Sequence, residues 1–228
     1  RSILPLYFFF YVSKMQGLNI KLGFCMSKLP VLPDLVPRRH GGFSQKFFKQ
    51  LYLAQGWQFQ GEFPNLAKAV AIVLPHTSNL DGWYGFNFVV AIDLNIQVFA
   101  KASLFNTPLK PLLNWLDVIP VQRNAAQGLT QQIIDEIKQR EQIWVGMTPE
   151  GTRHNAAEFK RGFYHIALGA NVPIVMFALD YANKTIHCLG TVEATGDYQA
   201  DLAKILASYD GKISAKHPKR LAKPLQKP

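Results

Sequence analysis

The stretch AVAIVLPHTSNLDGWYG, residues 69–85, joins an unbroken apolar run to a short polar loop and then to an aromatic-rich segment. Apolar residues in sequence, with no alternation, read as a strand covered on both faces, the habit of a parallel sheet packed between helices. From Asp81 onward the mixture DGWYGFNFVVAI suggests a helix. The loop between them, HTSNLD, carries His76 and Asp81 with small polar residues separating them.

Working outward, the same alternation recurs. Upstream, apolar residues at 43, 47, 48, 51 and 52 fall at helical spacing, with Lys46, Lys49 and Gln50 on the other side, so a short basic amphipathic helix is expected. Trp57 and Phe59 alternate with polar neighbours as in a strand. Downstream, IQVFAK reads as a strand, PLKPLLNWL as a short Pro-started helix and DVIPV as a strand. Residues 127–140, with apolar positions 129, 133, 134 and 137, read as an amphipathic helix. QIWVGM is a strand ending at TPEGTR, VPIVMFAL and KTIHCL are two more, and a helix is expected over Gln199–Ser208. Strands alternating with helices predict an α/β fold, a single-domain sandwich with a mostly parallel or mixed central sheet flanked by helices, preceded by the N-terminal amphipathic helix. In such sheets ligands bind beyond the strand ends, where both HTSNLD and TPEGTR fall.

The chain of 228 residues is 48 % apolar and 18 % charged, with a formal net charge of +10. Its length suffices for one filled core. The charged share lies below the usual quarter or so of a soluble domain, so some apolar surface is expected to find another cover, of which a membrane is the obvious one. The positive charge points to anionic partners: nucleic acid, phospholipid headgroups, acidic metabolites or carrier proteins. Cys25 and Cys188 stand far apart with no metal-ligand pattern, which fits a reducing compartment rather than a disulfide framework.

Each polar loop has a chemical and a plain reading. A neutral imidazole at His76 can take a proton from an alcohol if its other nitrogen donates to the Asp81 carboxylate; alternatively Asp81 caps the following helix and His76 bonds to backbone. TPEGTR brings together Glu150, a glycine that admits close backbone approach at Gly151, the Thr152 hydroxyl and the Arg153 fork, a set suited to a polyol phosphate. Its plain reading is a turn with a surface ion pair.

In this order and separation, HTSNLD and TPEGTR resemble the two signature blocks of the 1-acylglycerol-3-phosphate (lysophosphatidate) and glycerolphosphate acyltransferases, roughly N-H-x4-D and F-P-E-G-T-R. DVIPVQR, VPIVMF and FKRG resemble further blocks, and the likeness spans about residues 70–180. Pro75, Asp117, Gln122 and Thr148 depart from the family's usual asparagine, glycine, aspartate and phenylalanine. The resemblance implies a glycerolphosphate acyltransferase-like fold and direct transfer of an acyl group from acyl-CoA or acyl-carrier protein to the hydroxyl of a lysophospholipid, with 1-acylglycerol 3-phosphate giving phosphatidic acid. His76 would be the general base and Asp81 its orienting partner. Arg123 and Arg153 would bind the acceptor phosphate, with Glu150, Gly151 and Thr152 shaping that site and Lys101 and Lys160 as secondary cations. No metal and no cofactor beyond the acyl-thioester co-substrate is expected, and backbone amides around HTSN are the expected oxyanion donors. Another lyso-lipid or an amphiphilic alcohol as acceptor, or a lipid-binding protein without catalysis, are the alternatives.

Four segments are expected: residues 1–25 as an extension upstream of Met26 or a targeting segment, 26–60 as a basic membrane-facing segment, 61–210 as the acyltransferase domain and 211–228 as a basic tail. Ile3–Val12 is too short to span a bilayer, which takes about 20 residues. The basic helix and tail point to contact with an anionic membrane, and the small size without a spanning helix favours a peripheral bacterial-type enzyme, expected at the cytoplasmic face of the inner membrane. A nucleic-acid module would show exposed aromatics among basic residues or a recognition motif; neither is present, so no nucleic-acid partner is expected.

Overall fold

The computed structural model of the chain describes residues 29–108, 110–122 and 128–226. The expected extension 1–25 and Arg123 lie outside the described residues, as does the side chain of Lys101. Along the chain run α1 (Gly42–Ala54), β1 (Gln58–Gln60), β2 (Lys68–Leu74), α2 (Asn79–Ala91), β3 (Ile96–Gln97), β4 (Phe99–Lys101), α3 (Lys110–Trp115), β5 (Ile119–Val121), α4 (Gly128–Gln139), β6 (Ile143–Met147), α5 (Gly162–Ala170), β7 (Ile174–Asp180), β8 (Thr185–Val192) and α6 (Tyr198–Tyr209). Short 3₁₀ turns occupy Ala102–Asn106, Pro218–Arg220 and Lys223–Leu225.

Six strands form one mixed sheet in the order β1-β8-β7-β2-β6-β3, parallel throughout except for the antiparallel β7–β8 pair. β4 and β5 form a separate parallel pair. The apolar run of β2 lies at the centre because both of its faces are covered. Val70, Ile72 and Leu74 point into a cluster with Ile133, Ile134 and Ile137 of α4, Phe163 and Ile166 of α5, and Ile205 and Tyr209 of α6. Ala69 and Ala71 point the other way, toward Tyr52 of α1, Phe88 of α2, Trp57, Phe63 and Trp144. Small residues on one face and branched ones on the other set how closely each helical layer approaches. Each fully buried Val or Ile of this strand contributes about 1.5–3 kcal/mol, so β2 is a firm support for the loop that leaves it.

Two elements differ from the sequence reading. IQVFAK is not one strand, since Ile96–Gln97 pairs with β6 whereas Phe99–Lys101 pairs with β5. Residues 162–170, given no element by periodicity, form α5, which is apolar nearly all round and buries Phe163, Tyr164, Ile166 and Ala167. The expected N-terminal helix is α1. It packs Tyr52 and Phe48 inward and leaves Phe43 and Phe47 exposed.

Because β2 and β6 are neighbours in parallel register, with Ile72 opposite Met147, the loops leaving their C-terminal ends emerge side by side. Those loops are HTSNLD and TPEGTR. The end of β7, on the other side of β2, brings Asp180 and Tyr181 to the same rim. Among the described residues no helix is long and apolar enough to cross a membrane.

Candidate active site

Helix α2 starts with a capping box. The Ser78 hydroxyl accepts from the Leu80 amide at 3.1 Å, and Asp81, at the third helical position, reaches back. One carboxylate oxygen, Oδ2, accepts from the Thr77 and Ser78 amides at 2.6 and 2.7 Å. The same oxygen lies 3.5 Å from Nδ1 of His76. The other, Oδ1, accepts from the Tyr181 hydroxyl at 2.5 Å. Asp81 therefore caps the helix and faces the imidazole at once; the two readings of the loop describe one side chain. Burial pushes its pKa up, but hydrogen bonds from His76, Tyr181, Ser78 and Thr77 outweigh that and hold it below the usual carboxylate value. An anion fixed beside Nδ1 leaves Nε2 as the imidazole's other functional nitrogen.

Tyr181 had no signal in the sequence. Its ring stands edge-on to Trp57 at 5.2 Å and near Tyr84 at 5.9 Å, and burial with the Asp81 hydrogen bond raises its pKa, so it acts as a fixed donor.

The second loop behaves differently from expectation at one position. Glu150, expected beside the phosphate ligands, does not line the polar cleft. It is 2 % exposed and turns inward, where Oε2 accepts the His76 backbone N–H and ties the two loops together. Burial pushes this carboxyl up to about 7, against the weaker pull of the His76 amide. The physical reason is an amide at a buried strand exit that needs an acceptor. Gly151 adopts φ +61°, which favours glycine, and a Cβ there would come to 3.0 Å from Lys160 Cγ, so that side chain would have to shift. The Lys160 amide donates to Pro149 O at 2.7 Å, and its side chain lies beside Gly151 rather than in the cleft. Thr152 and Arg153 do reach the cleft.

Two cavities meet at His76. A polar cleft of about 770 Å³ is lined by His76, Ser78, Asn79, Thr152, Arg153 and Arg220, among others. An apolar cavity of about 440 Å³ runs beneath α2, past Gly82, Gly85, Phe88, Val98 and Met147. His76 and Thr148 line both. The amides expected as oxyanion donors are mostly committed: those of His76, Thr77 and Ser78 go to carboxylates, Leu80 to Ser78 Oγ and Asp81 to Ser78 O. That leaves Asn79, in the first turn of α2, as the loop amide without an acceptor among the described residues.

A family model described as Acyltransferase matches residues 58–180, more than half of the chain and both loops. The chain belongs to the acyltransferase family. The crystal structure of the 1-acyl-sn-glycerophosphate (LPA) acyltransferase PlsC from Thermotoga maritima is similar in fold, with a TM-score of 0.54 at 15 % identity over 78 % of this chain and 81 % of that one. Among curated proteins no sequence matches the chain significantly. The matched span of the acyltransferase ends at Asp180, so Tyr181, His217 and Arg220 lie outside it.

Proposed function

We propose that this acyltransferase moves a fatty acyl group from acyl-CoA or acyl-carrier protein to the hydroxyl of a lysophospholipid, with 1-acylglycerol 3-phosphate the favoured acceptor and phosphatidic acid the product. The observation that carries this reading is the placement of His76 at the junction of a polar cleft and an apolar cavity, with Nδ1 held against Asp81. Transfer of a fatty chain between a polar carrier and a polar headgroup needs that combination of volumes.

In this mechanism Nε2 of His76 takes the proton from the acceptor hydroxyl as its oxygen attacks the thioester carbonyl. Asp81 stabilises the imidazolium that forms. The tetrahedral oxyanion collapses, the carbon–sulfur bond breaks, and the imidazolium returns its proton to the departing thiolate. The oxyanion is served by the Asn79 amide and the positive end of α2. Arg153 holds the acceptor phosphate at the polar side while the acyl chain lies along Gly82, Gly85 and Phe88. No enzyme nucleophile is required, because the acceptor alcohol supplies one in a ternary complex.

The exposed side chains of Phe43, Phe47 and Trp115, on the segments that also carry Arg39, Lys46 and Lys49, support peripheral docking on an anionic membrane, as at the cytoplasmic face of an inner membrane.

The test is thiol release from palmitoyl-CoA by the purified protein, with and without lysophosphatidate, with phosphatidic acid followed as product. Release that depends on both acceptor and His76 is expected. A His76→Ala variant that melts like wild type and still makes phosphatidic acid at a near-normal rate would overturn the assignment.

A further inference from the structure

The segment after α6 does not trail away from the domain. Ser214 joins the end of β7: its amide donates to Leu179 O at 3.2 Å, its carbonyl accepts from Tyr181 N at 3.1 Å, and its hydroxyl donates to Asp180 Oδ1 at 2.8 Å. Eight residues on, the chain docks again. The Asn155 amide donates to Arg220 O and the Lys223 amide to Ala156 O, both at 2.8 Å, and Ala222 is wholly buried. The two anchors flank the candidate site, one beside Tyr181 and one just beyond TPEGTR. Between them, Lys216 to Arg220 cross the rim of the HTSNLD loop. The His217 amide donates to Thr77 Oγ1 at 3.3 Å and Arg220 Nη1 to Thr77 O at 3.4 Å.

We propose that this strap supplies the acyltransferase with a substrate-phosphate ligand of its own, Arg220, which works opposite Arg153 in the polar cleft. The inference rests on the acyl-transfer reading for the identity of the phosphate, though not for its existence.

Three observations carry it. His217 and Arg220 line the cleft together with His76, Arg153 and His154, and no carboxylate is among the lining residues. Two guanidinium groups, Arg153 and Arg220, in a cleft whose lining holds no acid make it favourable for an anion. The guanidinium has five N–H donors in a planar fork, and its contact with Thr77 O occupies one, which leaves the rest for phosphate oxygens. Finally, double anchorage holds the main chain of the strap in place, so Arg220 is presented from a fixed backbone rather than from a loose tail.

The phosphate has two possible sources in this reaction, the acceptor headgroup and the phosphate groups of the acyl donor. Calorimetric titration of the full chain with glycerol 3-phosphate, and separately with adenosine 3′,5′-bisphosphate as the nucleotide end of CoA, distinguishes them. Steady-state KM values for lysophosphatidate and palmitoyl-CoA are measured alongside. Arg220→Ala and Arg220→Gln are compared with Lys219→Ala, a neighbouring exposed lysine that does not line the cleft. Glutamine keeps a polar amide while losing the charge and the reach to Thr77 O, so a circular-dichroism melt of each variant is run beside the titrations to separate support of the loop from binding of the anion.

The expected result is that both Arg220 variants weaken one of the two phosphate ligands, and raise the matching KM, about tenfold, with Lys219→Ala unchanged. The ligand affected names the source. If wild type binds neither ligand, if both bind the Arg220 variants as they bind wild type, or if kcat alone falls, the proposal is wrong. If wild type binds a phosphate through Arg220 and yet releases no thiol from any acyl donor, the anion site stands and the acyl-transfer reading fails.

Discussion

Replacing Asp81 by asparagine separates the two jobs its carboxylate performs. Oδ2 is surrounded by donors, the Thr77 and Ser78 amides at 2.6 and 2.7 Å, so the variant must place its carbonyl oxygen there. Its NH₂ then faces Tyr181, whose hydroxyl can turn to accept. The capping box and the loop survive, but the negative charge 3.5 Å from His76 Nδ1 is gone. With an effective dielectric constant of about 20, a full imidazolium at that distance loses about 4–5 kcal/mol of attraction, or about a thousandfold or more in kcat. Alanine at the same position should behave differently, because it leaves two buried amides without acceptors at about 1–3 kcal/mol each and lowers the melting temperature as well. The assay is acyl transfer at saturating acceptor beside a circular-dichroism melt for wild type, Asp81→Asn and Asp81→Ala. If Asp81→Asn folds normally and keeps kcat within about tenfold of wild type, the carboxylate is a cap and not a partner in proton transfer.

Two further outcomes follow from buried groups and open space. Glu150 has its carboxyl pushed by burial from an ordinary 4.5 up to about 7. The folded state therefore holds a proton that the unfolded state releases between these values, so the group's stabilising contribution is fully present below about 4.5 and is lost as pH rises through about 7. At about 1.36 kcal/mol per pH unit the loss is about 3 kcal/mol. Glu150→Gln should flatten the fall in melting temperature between pH 5 and 8, and parallel wild-type and variant curves would remove the argument. Gly85 lines the apolar cavity, and a Cβ added there meets nothing within 4 Å. Gly85→Leu should fold at least as well, since glycine inside a helix costs about 1 kcal/mol, and should shift preference toward shorter acyl-CoA chains in a competition assay; an unchanged chain-length profile would place the acyl chain elsewhere.

What could be read from the sequence was local. The six apolar residues of β2 announced a strand buried on both faces, and the isoleucines at 133, 134 and 137 announced the inner face of α4. Both polar loops were visible because strand ends in parallel sheets are where ligands bind. The failures have physical causes. α5 is nearly uniformly apolar, so it has little periodicity to detect. IQVFAK breaks at Val98 because its halves hydrogen-bond to different partners, and composition carries no record of partners. Residue type and the motif resemblance both point Glu150 toward the phosphate ligands, whereas in the fold it turns inward to accept a part-buried amide 74 positions away. Tyr181, His217 and Arg220 touch the HTSNLD loop across 100, 140 and 143 residues, separations at which a single sequence has no signal.

The loop's bracing also bears on how a lipid would reach it. Arg39 and Leu116 line the apolar cavity, and Arg39 binds the backbone carbonyl of Trp115 at 2.6 Å while its guanidinium lies 5.4 Å from the Trp115 ring. Trp115 packs in turn against Phe48 of α1 and Phe86 of α2. The cavity wall and the exposed apolar side chains of α1 are thus joined through one aromatic cluster, with basic residues around it. Under the proposed reading this is the side that meets the bilayer, so an acyl chain can pass from lipid to His76 along apolar surface without crossing water, while the phosphates stay in the cleft with Arg153 and Arg220. Charge reversal at Arg39, as in Arg39→Glu, should then weaken sedimentation with vesicles containing anionic lipid and leave soluble phosphate binding intact. If phosphate binding fell while vesicle binding held, the two sides of the site would have been assigned the wrong way round.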